Sequence, residues 1–142
     1  MGNFIKRRLT ERYKSDAIGY DIGEYIYHVT PSGNTDRIKK SGFVPKDGVS
    51  INGEPFKNRL YFATSLIAAY DLSVNFSSYK DDDEYVIFKL KSSCIDKGYE
   101  QDPLFPHGIY VDYPINNKYI IDVVNAASLF SKFDDDDIEN LY

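Results

Sequence analysis

A chain of 142 residues and 16.3 kDa suits one domain of ordinary size and leaves little room for two. With 42% hydrophobic and 27% charged residues it sits among globular chains and outside the disordered and fibrous classes. The net charge of −5 rests on the acids Asp134, Asp135, Asp136, Asp137 and Glu139, so the remainder is neutral and exerts no general pull on nucleic acid.

Residues 4–13 carry Phe4, Ile5, Leu9 and Tyr13 at helical spacing among basic residues, which predicts a basic amphipathic helix within residues 1–20. The local patch of Lys6, Arg7, Arg8, Arg12 and Lys14 belongs to it. Residues 24–30 (EYIYHVT) are aromatic and β-branched and end at Pro31, a strand signature. Alternation puts Tyr25, Tyr27 and Val29 on one face and Ile26, His28 and Thr30 on the other. A short helix over 34–41 follows, capped by Asn34 or Thr35 and ended by Gly42. Residues 47–57 hold two glycines and a proline without periodicity and read as a loop. Residues 59–64 (RLYFAT) read as a strand running into Ser65, the N-cap of a helix over 66–76 whose apolar face is Leu66, Ala69, Tyr70 and Val74.

After the turn Asp81-Asp82-Asp83, residues 84–91 (EYVIFKLK) form a strand with Val86, Phe88 and Leu90 toward the core. Residues 92–106 read as a loop. Residues 108–115 and 119–124 then form a strand pair about an Asn116-Asn117 turn, with Gly108, Tyr110 and Asp112 sharing one face. Residues 133–142 are an acidic tail, solvated and mobile unless Leu141-Tyr142 docks as a tip. Four or five strands among two or three short helices, without βαβ alternation, give the α+β class in a single domain spanning 1–142.

Several chemistries drop out. One cysteine, Cys94, and two histidines, His28 and His107, exclude an internal disulfide and a zinc cluster, so no metal cofactor is expected. The phosphate-loop, GxGxxG, HExxH and GxSxG motifs are absent. No apolar run reaches the roughly 20 residues that cross a bilayer, and the charged start is unlike a secretory leader. A cytoplasmic protein without a membrane partner is the expectation. The 13 tyrosines and 9 phenylalanines suit a half-wet ligand cleft or a protein interface.

Four pieces in order carry a further signal. They are the strand ending His28-Val29-Thr30, the helix with Ile38 and its Gly42-Phe43 exit, Leu60-Tyr61-Phe62-Ala63-Thr64-Ser65 leading into Ala68-Ala69, and GIYVDYPINNKYIIDVV from Gly108. Over residues 24–124 the chain resembles the ADP-ribosyltransferase superfamily, in the His-Tyr-Glu branch that includes diphtheria toxin, the poly-ADP-ribose polymerases and the DarT-like toxins. The resemblance implies a split mixed β-sheet core with short flanking helices and NAD as substrate. It implies that His28 and Thr30 hold the nicotinamide-side ribose and amide, and that Tyr61 stacks on the nicotinamide beside Ser65 and Tyr70. The family's glutamate falls on Gly108, so Asp112, further along the same face, is the substitute carboxylate, with Glu100 and Asp102 as fallbacks. The implied catalytic set is Asp112, His28 and Tyr61, and the implied acceptor a macromolecule, protein ahead of nucleic acid.

Proteins of this resemblance often serve phages or toxin systems, which would place the chain in a host cytoplasm. Two other readings stand beside this one. A catalytically degenerate module of the same fold would bind a nucleotide or a partner protein without transfer. An RNA 2′-phosphotransferase would need more arginines than Arg37 and Arg59 supply.

Overall fold

The sheet is organised around a central strand that is buried on both faces. In the computed structural model, which describes residues 22–49, 53–79 and 84–141, β1 (Tyr25–Pro31) lies antiparallel to β4 (Tyr85–Lys91) along its whole length. Successive β4 side chains point to opposite faces, yet Tyr85, Val86, Ile87, Phe88 and Leu90 are all buried, so both faces of the sheet are covered. On the far side of β4 runs β7 (Ile120–Asn125). The other flank of β1 meets β3 (Pro55–Ala63), which pairs with β2 (Lys46–Val49) and β6 (Gly108–Val111), and β5 (Glu100–Gln101) completes that edge. The order is β5-β6-β3-β1-β4-β7, with β2 attached to β3.

The α+β class read from the sequence holds. All described ladders are antiparallel, where the resemblance implies a mixed sheet.

One face packs Ile26, Phe62, Phe88, Leu90, Ile109 and Val111 beneath α1 (Thr35–Ser41) and the segments carrying Phe43, Cys94, Ile95 and Ile115. The other packs Ala63, Tyr85 and Ile87 against Ala69 and Tyr70 of α2 (Leu66–Tyr79). Ser65 Oγ accepts from the Ala68 N–H at 3.2 Å, the expected cap. The helix buries Ser73 rather than Val74, which is 43% exposed. Position 73 continues the Leu66, Ala69, Tyr70 stripe at helical spacing, and position 74 is rotated off it.

Three expectations are corrected. The loops assigned to 47–57 and 92–106 contain strands, since β2 and β5 are edge strands too short for their alternation to stand out. The strands at 108 and 120 do not pair with each other. β6 lies against β3 and β7 against β4, and the chain crosses between them by bridging Phe43 to Ile115. Asn117 pins that crossing by donating through Nδ2 to the Lys39 and Lys40 carbonyls at 2.8 and 3.2 Å. Gly42 makes the passage possible: its φ is +78°, and a Cβ there would sit 2.5 Å from the Ile115 carbonyl oxygen.

The third correction is the tail, which is docked. Phe133, Ile138 and Leu141 pack onto the α2 face. The acids preceding Ile138 form α3 (Asp135–Glu139), opened by a reciprocal box in which Asp134 and Asp137 each accept the other's backbone N–H. Negative charge in a first helical turn is favourable, which is why so acidic a run folds. The basic helix within residues 1–20, the turn 81–83 and Tyr142 lie outside the described residues.

Candidate functional site at the seam between β1 and β3

β1 and β3 share a single paired position, Tyr27 opposite Ala63, and then part. At the parting, His28 reaches from β1 and its Nδ1 lies 2.7 Å from the Tyr61 carbonyl oxygen on β3. A carbonyl only accepts, so Nδ1 carries the proton and Nε2 is left as an acceptor. Phe43 and Phe62 hold the half-buried ring edge-on, with centroids 5.0 and 5.7 Å away. Burial pushes the imidazole down to about 4, opposed by the Tyr61 hydrogen bond and aided by the positive charges of Lys46 and Arg37. His28 is therefore a neutral imidazole at physiological pH, locked in one tautomer and flanked by two cations.

Alternation sends the Tyr61 ring to the opposite face from Phe62, and so away from His28. There it packs beside Phe56 at 5.2 Å and Tyr110 at 5.4 Å, while the Arg59 guanidinium donates to its hydroxyl at 2.9 Å. Arg59 also stacks over Tyr110 at 4.2 Å. Burial raises the Tyr61 phenol, against the lowering effect of Arg59, and it stays neutral. His28 and Tyr61 are thus tied through the backbone, but their side chains present themselves on opposite sides of the seam.

The remaining expected residues are dispersed around this point. Thr30 is buried on the His28 face, and its hydroxyl accepts from Asn34 Nδ2 at 2.9 Å. Ser65 is spent as the helix cap. Tyr70 is buried on the Tyr61 face beneath Phe133, ring centroids 5.7 Å apart. Asp112 is exposed, one residue beyond β6, where its carbonyl accepts from Asn58 Nδ2 at 3.0 Å. At about 3.3 Å per residue it stands about 13 Å along the chain from Gly108, too far to take that position's place.

Asp112 does line a hollow of about 350 Å³ with Lys57, Arg59, Glu100 and Tyr110. The hollow opens beside the aromatic wall and includes neither His28 nor Tyr61.

Asp102 stands beside Gly108 on the same side as the wall. It follows β5 and bonds back to β6 through its N–H to the Gly108 carbonyl at 3.0 Å. Its Oδ1 accepts from the Leu104 N–H at 2.9 Å, and its charge acts on Arg59, Tyr61 and Tyr110. Burial holds this carboxyl above its ordinary range, against the backbone N–H groups of Leu104 and Phe105 and the Arg59 charge, which lower it.

Cys94, on the other face, is buried, and its thiol is pushed up to about 12 by that burial, which leaves no thiolate for nucleophilic work. Among the described residues no group of three or more His, Cys, Asp and Glu is placed to hold a metal ion, and no helix is long and apolar enough to cross a membrane.

No protein-family model matches the chain, and no curated protein does. Among solved structures the chain is similar to EcPltA, with a TM-score of 0.52 at 14% identity over 72% of this chain and 75% of that one. That likeness shows a shared fold.

Proposed function

We propose that this chain is an NAD-dependent mono-ADP-ribosyltransferase acting on a macromolecular acceptor, protein ahead of nucleic acid. The observation that carries the reading is the His28 to Tyr61 link. It fixes a neutral imidazole with an acceptor nitrogen on one side of the seam and roots an aromatic wall on the other. The aromatic wall suits a flat nicotinamide ring, and the imidazole nitrogen suits a hydroxyl donor that approaches the seam from its own side.

In the reaction the bond between ribose C1′ and the nicotinamide nitrogen breaks, and its electron pair leaves with neutral nicotinamide. C1′ becomes oxocarbenium-like and bonds to the acceptor's nucleophile, which gives up a proton. Tyr61, Tyr110 and Phe56 exclude water from the leaving ring, and a carboxylate on their face stabilises the developing positive charge. The neighbouring hollow, with Lys57 and Arg59 beside Glu100 and Asp112, offers both charge signs to an approaching acceptor.

The test is release of nicotinamide from NAD and transfer of labelled ADP-ribose in a cell lysate, for the wild type, His28→Ala and Tyr61→Ala. Label on a macromolecule that depends on both residues supports the reading. Transfer that survives both changes refutes the site. Gly108, with no side chain at the position where the resemblance puts its acid, favours the alternative of a binding module; NAD binding by calorimetry with no nicotinamide release would select it.

A further inference from the structure

We propose that Asp102, carried by the turn after β5, is the carboxylate that stabilises the cationic sugar and receives the acceptor's proton. This rests on the transfer reading above and names the group that reading leaves open. The chemistry needs a carboxylate on the face that carries the Tyr61 ring. Among the described residues, Glu100, Asp102 and Asp112 are the candidates near the aromatic wall on that face.

Asp112 is exposed and displaced along the chain, and Glu100 opens into the hollow. Asp102 is fixed through both its backbone and its carboxylate. Its own N–H holds β6 through the Gly108 carbonyl, and its Oδ1 is oriented by the Leu104 N–H.

The space it occupies was cleared for it. Ala63 and Gly108 are cross-strand partners next to the Tyr61 and Tyr110 pair, so the sheet has two nearly bare positions there. A Cβ on Gly108 would lie 3.1 Å from both Cβ and Oδ2 of Asp102, and 2.9 Å from the Phe105 ring. A side chain at position 108 and the carboxylate of Asp102 compete for one volume, and this chain fills it from position 102. Burial disfavours the ionised form, and Arg59, which bonds the Tyr61 hydroxyl, offsets part of that from within electrostatic reach. Oδ1 accepts from the Leu104 N–H, the Phe105 N–H also bonds the carboxylate, and Oδ2 is the oxygen that lies over Gly108.

The experiment measures nicotinamide release from NAD by the full-length chain, with NAD affinity by calorimetry on the same samples. Asp102→Asn keeps the size and the Oδ1 acceptor, and is expected to lower kcat by about 10²- to 10³-fold with the NAD Kd changed by less than about 3-fold. Asp102→Glu keeps the charge on a longer arm and is expected to retain more activity than Asp102→Asn. The decisive variant is Asp102→Gly/Gly108→Glu, which removes the Asp102 Cβ as well as its carboxylate, moves the acid across to β6, and is expected to recover at least about 10-fold over Asp102→Gly.

If Asp102→Asn keeps kcat within about 3-fold of the wild type, or Asp112→Asn shows the large loss in its place, the assignment is overturned and the transfer reading stands. If the wild type neither releases nicotinamide in lysate nor binds NAD, the transfer reading falls and takes the assignment with it. Should Asp102→Asn not fold, Asp102→Glu and the relocated carboxylate decide by the same split between kcat and Kd.

Discussion

Replacing His28 by Gln tests the link that ties the two halves of the site. In the folded chain the imidazole titrates at about 4, against 6.5 for a free side chain. Between those values the unfolded chain binds a proton that the folded chain refuses, so stability rises with pH through this window and is lost as the pH falls. At pH 5 the unfolded histidine is almost fully protonated and the folded one about a tenth so. The difference from pH 7 amounts to about 2 kcal/mol from this one residue, approaching about 3 kcal/mol below pH 4. Glutamine preserves an N–H for the Tyr61 carbonyl and cannot titrate, so His28→Gln is expected to lose less stability than the wild type over the same interval.

Urea unfolding followed by circular dichroism at pH 7, 6 and 5 reads the effect as a gap between the two curves, and taking the difference cancels the titration of distant carboxylates. Curves that stay parallel within about 0.5 kcal/mol would mean the folded imidazole titrates normally. The locked neutral tautomer, and with it the acceptor nitrogen at the seam, would then be wrong.

Other perturbations read separate parts of the argument. Gly42→Ala places a Cβ against the Ile115 carbonyl at a left-handed φ and is expected to cost at least about 2 kcal/mol, measured as a lowered Tm. Cys94 is expected to resist alkylation at pH 8 in the folded chain and to react once the chain is unfolded, which mass spectrometry resolves; prompt native labelling would contradict its burial. Because burial raises the Asp102 carboxyl, its charged form is disfavoured in the folded state, and folding loses stability as the pH rises past the ordinary carboxylate range. Asp102→Asn is therefore expected to raise the Tm at pH 7 while lowering nicotinamide release; a lowered Tm would mark Asp102 as structural. Phe133→Ala removes the ring that covers Tyr70 and is expected to cost about 2 kcal/mol, checked by urea unfolding.

Much of the fold was legible because its central elements obey one period each. The alternation in residues 24–30 and 84–91 marked β1 and β4, and RLYFAT followed by Ser65 marked the end of β3 and the start of α2. What escaped were features that depend on pairing. β5 is two residues long, so no periodicity exists to detect, and β2 is defined by its register against β3 and not by a pattern of its own. Residues 108 and 120 are close in sequence, which argued for a hairpin, but the Phe43 to Ile115 bridge diverts the chain to the far edge of the sheet. The docked tail had a local signal that net charge hid: Asp134 and Asp137 stand three apart just before Ile138, the spacing of a reciprocal cap.

The site was legible one strand at a time and illegible between strands. Alternation along β1 placed His28 and Thr30 together, and both do face one apolar layer. Nothing in either strand's own pattern states the register of β1 against β3, and that register sends the Tyr61 ring to the other side of the sheet from the imidazole. The same distinction governs the carboxylates. Asp112 was favoured because it shares a face with Gly108 along one strand, and distance along that strand is what removes it. Asp102 is brought to Gly108 by the pairing of Glu100 with Tyr110 and Gln101 with Ile109. Two ladder positions carry the loop acid onto the bare patch left by Ala63 and Gly108. A glycine in a strand interior is otherwise a cost, since it packs nothing and loses the most entropy on ordering. Here its bareness has a use, because a Cβ at 108 would crowd the Phe105 ring at 2.9 Å and the Asp102 side chain at 3.1 Å.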